Sequence, residues 1–520
     1  MRRVGIDVGG TNTDAVLLDH TRVVCAVKVP TSADVSGGIV RALGELVTTV
    51  GDVGSIDAVM IGTTHFTNAV VERRDLARVA AVRIGLPASA SLPPFCDWPD
   101  DLAPLARGEV YMIAGGHEYD GRPIVPFDHD GMRRAARDIR ARGLRTAAVT
   151  SVFSPLTDEC ERIASEILHE ECPDIDVTRS HDVGRLGLLE RENATLLNAA
   201  LIDLARRTTR AFTAALAASG IAAPLYLTQN DGTIMRADFA EAFPVFSFAS
   251  GPTNSMRGAA FLSGLRVAMV VDIGGTTTDI GRLVRGFPAE ANAAVQIGGV
   301  RTLFRMPDLL SIGLGGGSLV DRDARTVGPR SVGHRITADA LVFGGSRLTA
   351  TDIAVAAGWA DLGDRDRVSM LDSSLVDACR TRIRERLETN IDRMKTDAAP
   401  IPLVPVGGAA FLAPERLPGI SEVVAVPHRA VANAIGAAIA QVGGEVDQIF
   451  SGCSREAAID QATALARQRA INGGADEATL SVTDVEDLPL AYLPGDARRV
   501  RVRVVGDALP VAPRASLTGD

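Results

Sequence analysis

Asp7-Val8-Gly9-Gly10-Thr11-Asn12-Thr13-Asp14 returns later in the chain as Asp272-Ile273-Gly274-Gly275-Thr276-Thr277-Thr278-Asp279. The shared pattern is D-x-G-G-T-x-T-D, and each copy follows a Val- and Ile-rich run, residues 3–8 and 267–273. Paired glycines let a hairpin turn adopt positive φ and bring backbone N–H groups close to an anion. The threonines add hydroxyl donors. Asp7 and Asp272 end their strands, where each is placed to hold water on a divalent cation, which prefers oxygen ligands. A single copy is compatible with an ordinary hairpin, since Gly-Gly and Asn suit turns. Two copies so far apart point to a duplicated lobe. Two such hairpins facing each other would grip a triphosphate from both sides. The expectation is ATP or a close nucleotide with Mg2+. Gly9, Gly10, Thr11 and Thr13 meet the phosphates on one side, Gly274, Gly275, Thr276 and Thr278 on the other, and Asp7 and Asp272 serve the metal.

Working outward, the 520 residues are too many for one ordinary core and predict two large domains. Hydrophobic residues at 46% and charged residues at 23% fit a globular chain. A net charge of −10 argues against nucleic acid as a partner, since a phosphate backbone wants a basic face. The positive charge is nearly all arginine, and Lys28 and Lys395 are the only lysines. A phosphate loop of the GxxxxGK[ST] type is therefore absent, and Schiff-base chemistry has few candidates. The six cysteines form no CxxC pair, which speaks against a zinc ribbon or metal cluster. They read as reduced core thiols, and the expected location is the cytoplasm. The start shows no signal-peptide pattern, and no apolar run approaches the ~20 residues that span a bilayer, so no membrane is expected.

Hydrophobic periodicity predicts strands at 3–8, 14–19 and 22–29, a helix at 36–50, a strand at 56–61, a helix at 66–73 and a strand at 79–84. This is an α/β layout with a mixed sheet. Residues 86–130 are rich in Pro, Gly and Asp and read as an insertion or linking region. Helices are expected at 131–142, 157–169, 188–219 and 371–393, with strands at 146–152, 224–228 and 402–406. A helix of small residues is expected at 430–442. The chain divides into a first lobe at 1–185, a second at 186–505 and a flexible tail at 506–520.

The twin motifs resemble the two phosphate motifs of the actin, sugar-kinase and chaperone ATPase superfold. That resemblance implies a two-lobed, ribonuclease H-like α/β fold with duplicated lobes around a nucleotide cleft. Val404-Pro405-Val406-Gly407-Gly408-Ala409-Ala410 resembles its adenosine motif, which would set Gly407 and Gly408 against the nucleoside. The small-residue helix from Val431 resembles its connecting helix. One branch is closer. Gly62-Thr63-Thr64-His65-Phe66-Thr67-Asn68-Ala69-Val70-Val71-Glu72-Arg73 is similar to the GTT-x-x-TNA-x-x-E-R segment of the hydantoinase A and 5-oxoprolinase family. So are Arg191-Glu192-Asn193 with Asn198-Ala199, the Ser250-Gly251-Pro252 turn, and Ser311-Ile312-Gly313-Leu314-Gly315-Gly316-Gly317-Ser318. The chain departs from the longer members at Ser331-Val332-Gly333-His334-Arg335-Ile336-Thr337, where they carry a Pro-Gly-Pro-Ala-Cys-Tyr-like stretch.

The resemblance implies an ATP-dependent hydrolase of a cyclic amide: 5-oxoproline, a hydantoin or a related lactam. Phosphorylating the amide oxygen makes it a leaving group, and water then opens the ring. The chain would act with a separate partner subunit, as a homo-oligomer, or both. Asp7 or Asp272 would be the general base. His65, at a strand end where ligands collect, is a candidate proton carrier; it reads equally as a hydrogen-bonded loop histidine. His117 reads mainly as structural, and Arg191 with Glu192 mainly as a local ion pair. The Gly313–Ser318 loop is either close to ligand or a connection needing positive φ. Two other functions stay open: a small-molecule kinase on the same superfold, and a non-catalytic ATP-driven activator subunit.

Overall fold

A computed structural model of the chain describes residues 1–509 except 10–11, 32–34, 52, 185–186, 292–293, 304 and 492–494. Strands β1 (Arg2–Val8) and β2 (Asn12–Asp19) form the first hairpin, with Asp7 opposite Asp14. β3 (Arg22–Pro30) continues antiparallel and sets Lys28 opposite Asp14. After the helix Val35–Val50, β4 (Ala58–Thr63) joins β1 in parallel, with Gly62 beside Asp7. Alternate residues go to opposite faces. Val4, Ile6 and Leu17 pack on Ile39, Leu43 and Leu46 of that helix, whereas Val16 and Leu18 pack on Val431, Ala434 and Ile435 from the far end of the chain.

The next strand does not extend this sheet. β5 (Val79–Leu86), β6 (Arg107–Ala114), β7 (Thr146–Ser151) and β8 (Asp176–Arg179) build a separate parallel sheet in the order β6-β5-β7-β8. Helices His129–Ala141 and Glu159–Glu171 cover it around Val82, Ile84, Met132 and Leu168. The stretch 86–130, expected to be an insertion or linking region, contains a strand of this inserted sheet. Its turn-rich flanks hid the short Val-Tyr-Met-Ile run.

The helix Leu188–Ala218 leads back to the first sheet, where β9 (Leu225–Thr228) pairs with β4 and β10 (Ile234–Arg236) follows. Strands Val442–Phe450, Arg498–Gly506 and Ser481–Pro489 complete nine strands. The expected division at residue 185 is therefore not a division in space, because the last part of the chain returns to the first lobe. The small-residue helix is also shorter than expected, Ala432–Ala438, and Val442 already belongs to a strand. Gly506, where the expected tail begins, still belongs to a strand, and residues 510–520 of that tail lie outside the described residues. Val500, Val502 and Val504 are buried on one face of that strand, and Leu509 N still donates to Gly474 O at 2.9 Å.

The second lobe repeats the opening construction. β11 (Ala268–Ile273) and β12 (Thr278–Val284) form a hairpin, Leu309–Ile312 adds antiparallel to β12, and Ile401–Val406 adds parallel to β11. Between the lobes, the helices Ser250–Ser263 and Ala432–Ala438 cross at backbone contact. A Cβ on Gly436 would lie 1.8 Å from Asn254 O, and one on Gly258 1.9 Å from Ala432 O. Gly436→Ala is expected to destabilise the chain by more than the ~1–3 kcal/mol usual for overpacking, because the clash is with main chain. Gly44→Ala, in the helix Val35–Val50 with open space around it, should instead stabilise by up to about 1 kcal/mol. Thermal unfolding of both variants checks the opposite signs.

Candidate active site between the two hairpins

In the first lobe a row of residues crosses four strands: Gly62, Asp7, Asp14 and Lys28. The second lobe carries the matching row Val406, Asp272, Asp279 and Ser311. The first and last Asp of each D-x-G-G-T-x-T-D motif are thus cross-strand partners. A glycine makes room for each leading carboxylate. A Cβ on Gly62 would sit 2.7 Å from Asp7 Oδ1, and a Cβ on Gly407, whose φ is +91°, would sit 2.3 Å from Asp272 Oδ1.

Asp7 is almost fully buried, and its Oδ2 accepts from Asn433 Nδ2 at 2.9 Å. The same amide reaches Asp14 Oδ2 at 2.9 Å, and Asp14 Oδ1 lies 2.5 Å from Lys28 Nζ. Asp7 Oδ1 has no hydrogen-bond partner among the described residues. The Asn254 amide lies near it, but its hydrogen bond goes to Thr228 Oγ1 at 3.0 Å. Burial pushes the Asp7 carboxyl up to about 7; the Asp14 and Asp272 charges add to this, and the amides of Asn433 and Asn254 oppose it. Asp272 Oδ2 accepts from Ser255 Oγ at 2.5 Å. Burial raises its pKa while Ser255 and the Lys28 charge lower it. Burial likewise takes Asp279 to about 6 against the hydrogen bond from Ser311.

Concentrated negative charge with a bare oxygen suits a cation. Among the described residues, no three His, Cys, Asp or Glu side chains converge on one point. The donor set therefore fits a hydrated divalent ion held through its water shell, the usual habit of Mg2+, better than a caged one.

The expected phosphate contacts separate into groups. Gly9 N donates to Asn12 O at 3.0 Å and Gly274 N to Thr277 O at 2.9 Å, so the two turns close alike. Gly10 and Thr11 lie outside the described residues. Gly275 and Thr276 stand at the second turn, with Thr276 exposed. Thr13 and Thr278 turn their hydroxyls to protein partners. Both are fully buried, Thr278 Oγ1 donates to Leu314 O at 2.6 Å, and Thr13 Oγ1 pairs with Thr31 Oγ1 at 3.3 Å. They brace the turns from beneath, because alternation along a strand sends them to the face opposite the aspartates. Gly408 is exposed with open space where a Cβ would be, and Ala409 N binds Ile273 O at 2.8 Å, so this loop rests on the second motif with room beside it.

The Gly313–Ser318 loop does not need its glycines for positive φ. Gly313, Gly315, Gly316 and Gly317 are not among the glycines with positive φ. Instead the loop lies backbone to backbone on the second hairpin: Gly316 N donates to Gly274 O at 2.9 Å and Gly317 N to Gly275 O at 2.7 Å. A Cβ on Gly315 would be 2.7 Å from Thr276 N. The divergent segment packs here too, with Val332 N on Gly317 O at 3.0 Å and Ser331 Oγ on Gly275 O at 3.3 Å.

His65 opens the helix His65–Val71, and its backbone N binds Thr63 Oγ1 at 3.2 Å. Burial, with Arg74 and Arg207, lowers its pKa, and Asp75 and Glu72 oppose. Ser250-Gly251-Pro252 is not a turn but the start of the helix Ser250–Ser263, where Ser250 Oγ donates to Thr63 O at 2.9 Å. Arg191 and Glu192 favour each other's charge, and each also takes hydrogen-bond partners elsewhere. Glu192 accepts from Arg83 Nε at 2.6 Å, while Arg191 donates to Ser180 Oγ at 3.0 Å and Ser151 O at 2.8 Å, fastening the inserted sheet to the long helix. His117 is buried in the inserted domain, 3.6 Å from Glu159 Oε2. Cys96 is exposed, unlike the core thiol expected. Asn433, Asn254 and Ser255 escaped the sequence reading. Their signal was a polar residue set among Ala, Gly and Met on tightly packed helices.

Residues 3–172 match the family model of the hydantoinase/oxoprolinase N-terminal region, and residues 191–361 match the hydantoinase/oxoprolinase model. The caprolactamase subunit alpha of Pseudomonas jessenii is 26% identical over 433 residues, covering 75% of this chain and 60% of that protein. The acetophenone carboxylase gamma subunit of Aromatoleum aromaticum is 27% identical, covering 68% of this chain and 53% of that protein. The chain thus spans little more than half the length of these relatives. The crystal structure of the ATP-dependent caprolactamase from Pseudomonas jessenii superposes with a TM-score of 0.77 at 19% identity, over 97% of this chain and 87% of that one, which shows a shared fold. Among the described residues no helix is long and apolar enough to cross a membrane. With two consecutive models of one family matched in order across both hairpins, the chain belongs to the hydantoinase/oxoprolinase family.

Proposed function

We propose that this chain is the nucleotide-using subunit of an ATP-dependent cyclic-amide hydrolase, acting on 5-oxoproline, a hydantoin or a related lactam. The observation that carries the reading is the pair of matched carboxylate rows under two hairpin turns, with Asp7 Oδ1 left bare between them. An unstrained amide resists water. Transfer of a phosphoryl group to its oxygen turns that oxygen into a leaving group, and the protein's part is positioning and charge stabilisation. The turns at Gly9 and Gly274 hold the phosphates, Gly407 and Gly408 flank the nucleoside, and Asp7 and Asp272 hold the water shell of Mg2+. When bound, that ion neutralises phosphate charge. Asp7, with a pKa of about 7, is suited to accept a proton from attacking water at its free Oδ1. His65, two residues past the Thr63 that pairs with Val8, is the second candidate proton carrier.

A second reading is favoured by the likeness to a protein named as a carboxylase subunit. Phosphorylation of a ketone's enol oxygen would use the same cleft. Both similar proteins are named as subunits, which supports a partner for this chain. The test is phosphate release from ATP with a panel of 5-oxoproline, hydantoins, caprolactam and acetophenone, with and without the product of the neighbouring gene. One cyclic amide should raise phosphate release and appear ring-opened; turnover indifferent to every compound would overturn the reading. Asp7→Ala and Asp272→Ala are each expected to lose at least ~100-fold in stimulated turnover, the scale of removing a general base.

The same carboxyl bears on stability. Its folded pKa of about 7 stands above the ordinary 3.8, so the folded chain keeps a proton that the unfolded chain releases. The cost of ionising buried Asp7 is absent below about pH 4, grows from there, and reaches a few kcal/mol above about pH 7. Asp7→Asn, studied by calorimetry without nucleotide, should raise Tm at pH 8 and raise it much less at pH 5. An equal difference at both values would show that Asp7 is not held against its charge.

A further inference from the structure

We propose that Lys28 contacts the terminal phosphate of the bound nucleotide, leaving Asp14 to do so, an assignment that rests on the nucleotide reading of the cleft. In a chain with 54 Lys and Arg residues, only Lys28 and Lys395 are lysines. Lysine differs from arginine in being a compact point charge on a flexible stem with three rotatable donors, able to change partners without matching a planar fork. Lys28 occupies one of the two positions in the row where the lobes differ, the other being Gly62 against Val406. The strand beside the trailing Asp presents Lys28 in the first lobe and Ser311 in the second. The duplicated lobes thus satisfy the same carboxylate in two ways, one with a hydroxyl and one with a cation.

The geometry fits a cation that can move. Lys28 Nζ lies 2.5 Å from Asp14 Oδ1, and its charge also acts on Asp272 of the opposite hairpin. Its side chain is 34% exposed, whereas that of Asp14 is 4% exposed. Asp14 does not depend on Lys28 alone, because Asn433 Nδ2 still donates to its other oxygen at 2.9 Å. A triphosphate entering this cleft meets Asp7, Asp14, Asp272 and Asp279, and Lys28 is the cation whose charge already reaches that cluster. The terminal phosphate of ATP carries the charge that ADP lacks, so an ammonium placed there reads the difference between the two nucleotides.

The test is equilibrium binding of a non-hydrolysable ATP analogue and of ADP, each with Mg2+, to the whole chain and its variants. Lys28→Met is expected to weaken the ATP analogue by about 10- to 100-fold, the scale of one charge-assisted hydrogen bond, and to leave ADP within about 2-fold. Lys28→Arg, which keeps the charge, should restore part of the discrimination and reports on folding if Lys28→Met proves unstable. If Lys28 serves only to neutralise Asp14, then Lys28→Met with Asp14→Asn regains the wild-type ratio of the two affinities; that result overturns the proposal, as does a wild-type ratio in Lys28→Met alone. A double variant that still fails to favour the ATP analogue supports it. Wild-type chain that binds neither nucleotide overturns the cleft reading, and the role of Lys28 with it.

Discussion

Four carboxylates that repel one another lie in the cleft between the lobes, and much of the surrounding structure answers that repulsion. Each is met differently. Asp7 takes the Asn433 amide, Asp14 takes the same amide and Lys28, Asp272 takes the Ser255 hydroxyl, and Asp279 takes Ser311. These partners come from a helix of each lobe joint and from the third strand of each lobe. Burial raises the pKa of Asp7, Asp272 and Asp279, so the folded chain holds the cluster under electrostatic tension that a bound cation relieves.

The duplication is faithful in backbone and loose in chemistry. Both hairpins close with the same hydrogen bond and set the same pair of aspartates across from each other. Around them the lobes diverge. A glycine within β4 clears space at Asp7, whereas a positive-φ glycine just past a strand does so at Asp272. The second turn is backed by a Gly-rich loop lying on its main chain, and the segment in which this chain departs from longer family members is packed against that loop. Divergence therefore sits against the second hairpin turn.

The hairpins, the lobes and the leading aspartates were legible in the sequence because they are local: a strand, a turn and a strand within eight residues, written twice. The direction of Thr13 and Thr278 was equally local, yet the motif was read as a set of donors rather than as a strand with two faces. Asn433 and Ser255 were not legible, since each meets its carboxylate only after distant helices fold onto the sheets. The final strands were lost for a related reason. The Arg-Val alternation at 498–505 is a clear period of two, but the expected elements stop short of this end of the second lobe. Lysine scarcity was noticed for what it excludes, and its positive content, one of the two lysines beside Asp14, needed the register of β2 and β3.

The crossing of Ser250–Ser263 with Ala432–Ala438 has a mechanical meaning. Two backbones in contact at Gly258 and Gly436, with no side chain between them, have no slack for sliding. Turning is the freedom that remains, and points near an axle travel least when it turns. Asn254, whose carbonyl touches the crossing, and Asn433, within a turn of it, are such points. The amides that attend Asp7 are thus mounted at the bearing of the molecule. The hydroxyl and glycine partners farther out, such as Ser311 and the Gly-rich loop, ride on the moving arms.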